Sequence, residues 1–395
     1  MHVIVKNRYT QEIIHFFLEN CRTESLRRSS IYAADFLYGK DQGFFIELRE
    51  RISNYLDRNV DRISIEIASE TGKPFKYIRE EILQTIREIK SIRIPEDLHE
   101  FVKPGVSALN YNCNDPVLSL FVPLFATILQ GSPVLVFANP YNFVSAHIII
   151  SMLSEIGLPE GVVNVIPFKP NFNYAYLYGE NFSYFQDTYD GLGINRIIQS
   201  ERHKPATVLW GDIDPDSAVS EFTKRLVRMP FSNEQLLVVD RRMFEYVLNR
   251  LKEELSRIVV GDPADGATDL GPVTKDEDLM EALSIVGKYR VERLLAMFRG
   301  VEGNLMKPAI ILTDDVVKDP FVHAPLVYLV NSASVEDAVN LINEVEADRC
   351  ALFSDDSKLL KMLYGRTACK EISFNSYMYK DYLFKPFLVK RKILM

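Results

Sequence analysis

The sequence predicts an α/β protein of two doubly wound domains behind a helical N-terminal stretch. Three observations lead there. Charged and apolar residues interleave at three- and four-residue spacing from Gln11 to about Ile94. From Val106 onward, short apolar runs alternate with helical stretches, the pattern of a parallel sheet wound with crossover helices. Gly and Pro fall at the ends of those stretches, where they stop helices and set turns.

In chain order, Tyr77-Ile78-Arg79-Glu80-Glu81-Ile82-Leu83-Gln84-Thr85-Ile86 has the apolar spacing of a half-buried helix, and Pro95 marks the end of the helical part. Strand-like runs follow at Val106–Tyr111, Val134–Phe137 and Val162–Ile166, with a helix from about Val144 to Ile156 that stops at Gly157 and Pro159. Apart from His147, nothing between Asp115 and Glu155 can carry charge. The apolar run Val117–Leu129 is nevertheless too short for a bilayer, which takes about 20 such residues, and Gln130-Gly131-Ser132-Pro133 breaks it. A buried helix, a turn and a buried parallel strand are the expectation. Further runs at Thr207–Trp210, Leu236–Val239, Ala309–Leu312 and Leu326–Val330 suggest a second α/β unit. The expected divisions are a helical part at 1–104, a dinucleotide-binding type of domain at 105–228, a second α/β domain at 229–374 and a closing segment at 375–395.

Composition narrows the function. The 395 residues carry 46 basic and 54 acidic side chains, a net charge of −8, which argues against a general nucleic-acid binder. With 47% hydrophobic and 25% charged residues, the chain is neither collagen-like nor disordered. Cys21, Cys113, Cys350 and Cys369 lack CxxC or Cys/His spacing, so no metal is expected and a reducing compartment is. The first residues lack the apolar core of a signal peptide, and a cytoplasmic protein without membrane contact follows as the expectation.

Several motifs then stand out: Glu70-Thr71-Gly72-Lys73-Pro74, Lys103-Pro104-Gly105-Val106, Gly157-Leu158-Pro159-Glu160-Gly161-Val162-Val163-Asn164-Val165, Asp212-Ile213-Asp214, Val260-Gly261-Asp262-Pro263 and Thr268-Asp269-Leu270-Gly271-Pro272. With Lys307-Pro308, Ala324-Pro325 and Ile372-Ser373-Phe374-Asn375, they resemble the aldehyde dehydrogenase superfamily in order, over roughly residues 60 to 375. The resemblance implies that family's two-domain fold, a thiol nucleophile, an oxyanion hole, a carboxylate base and a nicotinamide dinucleotide.

Against these needs the matching positions are altered. The nucleophile motif N-x-G-Q-x-C corresponds to Ser232-Asn233-Glu234-Gln235-Leu236-Leu237, which puts Leu237 at the place of the cysteine. Asn114, in Asn114-Asp115-Pro116, stands at the oxyanion-hole position. The base element reads Ser200-Glu201-Arg202-His203-Lys204, where Glu201 serves only with a one-residue slip. For the cofactor, Phe137 replaces a ribose-binding lysine, Pro140 a glutamate and Phe321 a second ribose-binding glutamate, with His323 beside it. Asp187, in Phe185-Gln186-Asp187-Thr188, places a carboxylate where a pyrophosphate would meet a helix N-terminus and repels it. Cys113, next to Asn114, is the one substitute thiol in reach of that cleft, or a small hydrophobe packed behind a loop.

The oligomerisation element is reduced as well. Residues 93–102 leave no room for the family's long hairpin, and 375–395 is short for its closing segment, where Pro386-Phe387 stands without glycines. The expectation is a catalytically inactive member acting as a ligand-binding, regulatory or scaffolding protein, with no cofactor. Its partners would be a second copy through the second domain, another protein, or a small molecule. The alternative is an oxidoreductase using NAD or NADP on an aldehyde or activated acyl substrate.

Overall fold

The structure, a computed structural model, describes residues 2–17, 23–96, 105–111, 115–138, 143–167, 194–199, 205–228, 236–288, 291–293, 304–313 and 323–376. It opens with an antiparallel hairpin, β1 (His2–Lys6) and β2 (Ile13–Phe17), in register from His2 opposite Phe17 to Lys6 opposite Ile13. This corrects the expectation of helix from Gln11. Val3-Ile4-Val5 and Ile13-Ile14 are β-branched pairs and triplets that prefer extended backbone. The connecting turn is closed by the Asn7 side-chain oxygen, which accepts from the Tyr9 and Thr10 amides at 2.9 and 3.0 Å.

The helical part proper is α1 (Thr23–Tyr38), α2 (Gln42–Arg58), α3 (Val60–Thr71) and α4 (Phe75–Ser91). Asp41 caps α2 by accepting from the Phe44 amide at 2.9 Å. In α4 the inward positions are Ile78, Glu81, Ile82, Thr85 and Ile89, the three- and four-residue spacing read from the sequence.

The first sheet holds β3 (Val106–Asn110), β4 (Val134–Ala138), β5 (Val163–Pro167) and β6 (Ile194–Gln199), all parallel, in the order β5-β4-β3-β6. Between them run α5 (Leu118–Leu129), buried at every residue, and α6 (Phe143–Ile156). No helix among the described residues is long and apolar enough to cross a membrane. Helices α2 to α6 and one face of the sheet share a single apolar core that includes Ile52, Ile82, Leu109, Phe121, Val136 and Ile149. Strands added on both sides of β3 make the crevice beyond the carboxyl ends of β3 and β6 the topological switch point, where α/β sheets place ligands.

The second sheet has seven strands, β7 (Pro205–Trp210), β8 (Leu236–Asp240), β9 (Val291–Arg293), β10 (Ala309–Thr313), β11 (Leu326–Ser332), β12 (Arg349–Ser354) and β13 (Glu371–Phe374), in the order β13-β12-β7-β8-β11-β10-β9. Only β9 runs antiparallel to its neighbour. Among the described residues the helices that accompany it are α7 (Pro215–Arg228), α8 (Phe244–Ser256), α9 (Asp276–Lys288), α10 (Val335–Glu344) and α11 (Ser357–Arg366). Strand β7 pairs with β8 and β12, so the change of sheet falls between residues 199 and 205 rather than at 229. Alternate residues of β8 enter opposite cores, Leu236 and Val238 one, Leu237 and Val239 the other, as expected of a strand covered on both faces.

The two motif groups, far apart in sequence, meet in space. Gly72 ends α3 in the left-handed region at φ 80°, and a Cβ there would lie 2.5 Å from the Pro272 carbonyl oxygen. A Cβ on Gly271 would overlap the Gly72 carbonyl oxygen. Around this contact the Phe75 amide donates to Pro263 O at 2.7 Å, the Thr274 hydroxyl to Thr71 O at 2.5 Å, and Lys76 pairs with Asp269 at 2.5 Å. The glycines are therefore demanded by backbone packed on backbone between the helical part and the loop after α8.

Candidate functional site

Asp115 and the first residues of α5 are held by a buried charged cluster. Lys73, 1% exposed, places its Nζ 2.6 Å from Glu81 Oε2 and 3.5 Å from Asp115 Oδ1. The other oxygen of Glu81 accepts from the Val117 and Leu118 amides at 2.7 and 2.9 Å, closing the N-terminus of α5. Burial pushes the Glu81 carboxyl up, while Lys73 and the α5 amides oppose it. Asp115 and the start of α5 are thus tied to α4 and to the turn before it.

Glu70 does the same for α6. Its Oε2 accepts from the Val144 amide at 2.8 Å. Burial pushes its carboxyl up to about 8, against the Val144 and Phe143 amides and nearby Arg8. Its Oε1 has no hydrogen-bond partner among the described residues. Arg8, in the hairpin turn, donates from its backbone to Ser69 O at 2.8 Å and from Nε to Glu70 O at 3.1 Å. Two helix N-termini at the carboxyl edge of the first sheet are therefore filled by this chain's own carboxylates.

Of the residues singled out from sequence, Cys113, Asn114, Pro140, Asp187, Glu201, His203 and Phe321 lie outside the described residues. Phe137 lies in β4 opposite Asn110 and Ile166 and is wholly enclosed. Leu237 lies in β8 between Thr207 and Leu329, also wholly enclosed, in an apolar cluster with Leu209, Val239, Ile310 and Val327. His323 is buried in the turn before β11. Phe137 and Leu237 belong to different sheets. The structure adds Glu70, Lys73, Glu81 and Asp115, which sequence reading did not assign to a site. One signal was present for Glu81: it interrupts the apolar stripe of α4 between Ile78 and Ile82.

Of the two described cysteines, Cys350 lies in the second domain's core and Cys369 packs half-buried against it. Burial pushes the thiols of Cys350 and Cys369 up, away from the reactive thiolate. At the carboxyl edge of the second sheet, Asp240 accepts from Arg242 and from the Gly211 amide, and Asp355 from the Asp212 amide. Burial would raise the Asp240 carboxyl, but those donors hold it below the usual carboxylate range. No group of His, Cys, Asp or Glu among the described residues is placed to hold a metal ion.

Comparison with known proteins bears on this arrangement. Residues 204–388 match the aldehyde dehydrogenase family profile, beginning where the chain changes sheet. The fold is similar to that of a putative aldehyde dehydrogenase from Burkholderia cenocepacia, with a TM-score of 0.83 at 17% identity over 96% of this chain and 87% of that one. The chain has the aldehyde dehydrogenase fold, and its second domain matches that family. An NAD-dependent benzaldehyde dehydrogenase from Corynebacterium glutamicum shares the same aldehyde dehydrogenase fold, with a TM-score of 0.80 at 16% identity over 99% of this chain and 94% of that one. In sequence, the chain is 22% identical to N-succinylglutamate 5-semialdehyde dehydrogenase of Novosphingobium aromaticivorans over 74% of this chain and 70% of that protein. It is 20% identical to omega-crystallin of Enteroctopus dofleini over 78% and 70%. At such identities the likeness to aldehyde dehydrogenases carries the fold and leaves the substrate open.

Proposed function

We propose that this aldehyde dehydrogenase-fold chain does not carry out the family's oxidation and works by binding, as a ligand-binding, regulatory or scaffolding protein. The observation that carries this reading is that no cysteine occurs between Cys113 and Cys350. The segment joining α7 to β8, Met229-Pro230-Phe231-Ser232-Asn233-Glu234-Gln235, therefore contains no thiol in any register, and neither does β8. An acyl transfer through a thiohemiacetal has no nucleophile there. Cys350 and Cys369 do not substitute, since one is buried, the other half-buried, and both thiols are pushed up.

The family implies NAD or NADP, and the residues present do not fit it. Phe137 stands where the resemblance places a ribose-binding lysine, and its wholly enclosed ring offers a ribose no polar atom.

A second reading rests on Cys113. It precedes Asn114 and Asp115, and Asp115 is held by Lys73. A thiol beside an amide donor is the minimum set for attack on a carbonyl. Thermal unfolding with and without millimolar NAD and NADP separates the two readings. Ligand at a hundredfold excess over its dissociation constant stabilises by about 2.7 kcal/mol. The binding reading predicts no shift and no aldehyde-dependent reduction of cofactor. A clear shift, with activity abolished by Cys113→Ser, would overturn it.

A further inference from the structure

The N-terminal hairpin pairs with no other described strand. Two strands alone are marginally stable in water, so contact with the body of the protein decides whether the hairpin stays in place. Its turn makes that contact. The Arg8 amide donates to Ser69 O at 2.8 Å, and its Nε donates to Glu70 O at 3.1 Å. The turn is shaped to hold Arg8 there. Gln11 takes a left-handed φ of 65°, its Nε2 donates to Arg8 O at 2.7 Å, and its amide donates to Asn7 O at 3.0 Å. The hairpin turn is thus fastened across the last turn of α3, at Ser69 and Glu70.

Beneath that fastening lies a carboxyl in a site that suits the neutral acid. Glu70 is 1% exposed, its Oε2 is satisfied by the Val144 amide, and its Oε1 has no hydrogen-bond partner among the described residues. A carboxylate with one dry, unsatisfied oxygen costs far more than a protonated acid in the same place. Among the described residues, Arg8 is the charged side chain whose field reaches it. Lys73, in the turn after α3, and Glu81 of α4 are engaged with each other, and His147 of α6 faces Glu66 and Arg62 of α3. Arg8 favours the ionised form without bonding to Oε1, and burial outweighs it.

We propose that the β1–β2 hairpin is a pH-sensitive strap, fastened over Glu70 while that carboxyl keeps its proton and released when the proton passes to water. The sign follows from linkage. A carboxyl whose proton is held more tightly under the strap than in water makes the fastened state bind protons preferentially, so raising the pH favours release. The Glu70 carboxyl, pushed up to about 8, sets the onset just above neutrality. Release is a local event, because the hairpin adds no strand to either of the larger sheets. It brings water to Glu70 and to the N-terminus of α6, at the carboxyl edge of the first sheet.

Hydrogen exchange of the full chain followed by mass spectrometry from about pH 7 to about pH 9.5 tests this, with each rate corrected for intrinsic pH dependence. Protection in peptides covering residues 2–17 should fall by about tenfold above pH 8, the limit for one linked proton being tenfold per pH unit. Peptides from α5 should keep their protection across the same range. Glu70→Gln should give hairpin protection that does not change with pH. Arg8→Ala, which leaves the buried carboxyl in place, should lower hairpin protection at every pH and spare α5. Flat hairpin protection in the parent, the same fall in Glu70→Gln, a hairpin unaffected by Arg8→Ala, or loss of α5 protection together with the hairpin would each overturn the proposal.

Discussion

Glu81→Gln isolates the buried charge that pairs with Lys73 and closes the start of α5. The amide keeps an oxygen for the Val117 and Leu118 donors and almost the same volume. It removes the charge 2.6 Å from Lys73 Nζ, leaving that ammonium with Asp115 at 3.5 Å. Lys73 is 1% exposed, so water cannot take over. Removing one member of a buried pair typically costs about 3–5 kcal/mol, because the other charge is stranded. Retention of the helix cap and of Asp115 places this case near the lower end, ~3 kcal/mol. Guanidinium unfolding at pH 7 would show it as a lower midpoint with unchanged slope. Adding Lys73→Met and Asp115→Asn removes the rest of the charged cluster and should recover part of the loss, since buried charges replaced as a unit cost less than a charge left behind. A Glu81→Gln loss below about 0.5 kcal/mol, or no recovery in the triple variant, would refute the argument that breaking the cluster costs through its remaining buried charge.

Glu70 makes stability depend on pH. Its carboxyl sits at about 8 in the folded chain against an ordinary 4.5, so the folded state holds the proton more tightly. That stability is full below the ordinary value and is lost as pH rises through 8. Glu70→Gln should therefore gain on the parent between those two values, and parallel urea midpoints from pH 5 to 8 would count against it. Gly72→Ala combines a left-handed φ of 80° with a Cβ 2.5 Å from the Pro272 carbonyl oxygen. It should destabilise by about 2 kcal/mol or more, read from the same denaturation midpoint, and a loss under about 0.5 kcal/mol would show that the two backbones can part freely. Cys350 and Cys369 should resist iodoacetamide in the folded chain at pH 7.5 and react after unfolding, as peptide mass mapping would report.

Much of the fold was legible because local pattern reports which face of an element is buried. The charge-free run before Gln130 became α5, buried at every residue, and Val134–Phe137 became an interior strand. Leu237 and Phe137 were legible as side chains without chemistry, and both are enclosed. Strands with weaker signals escaped: β12 reads Arg-Cys-Ala-Leu-Phe-Ser and β6 reads Ile-Asn-Arg-Ile-Ile-Gln, each with polar residues inside the run. The N-terminal hairpin was masked by the helical spacing that follows it. The charged cluster was missed because Lys73, Glu81 and Asp115 look like surface residues until three segments converge on them.

By itself the sequence determined the alternation of elements, the motifs that resemble those of aldehyde dehydrogenases, and the lack of a thiol near β8. Those are properties of neighbouring residues, or of residue types simply present or absent. The tertiary structure alone decided that β7 joins the second sheet, that Gly72 meets Gly271, and that a lysine and two carboxylates share one dry pocket. Such contacts join segments far apart along the chain. Their energies come from desolvation and backbone approach, which no local periodicity records.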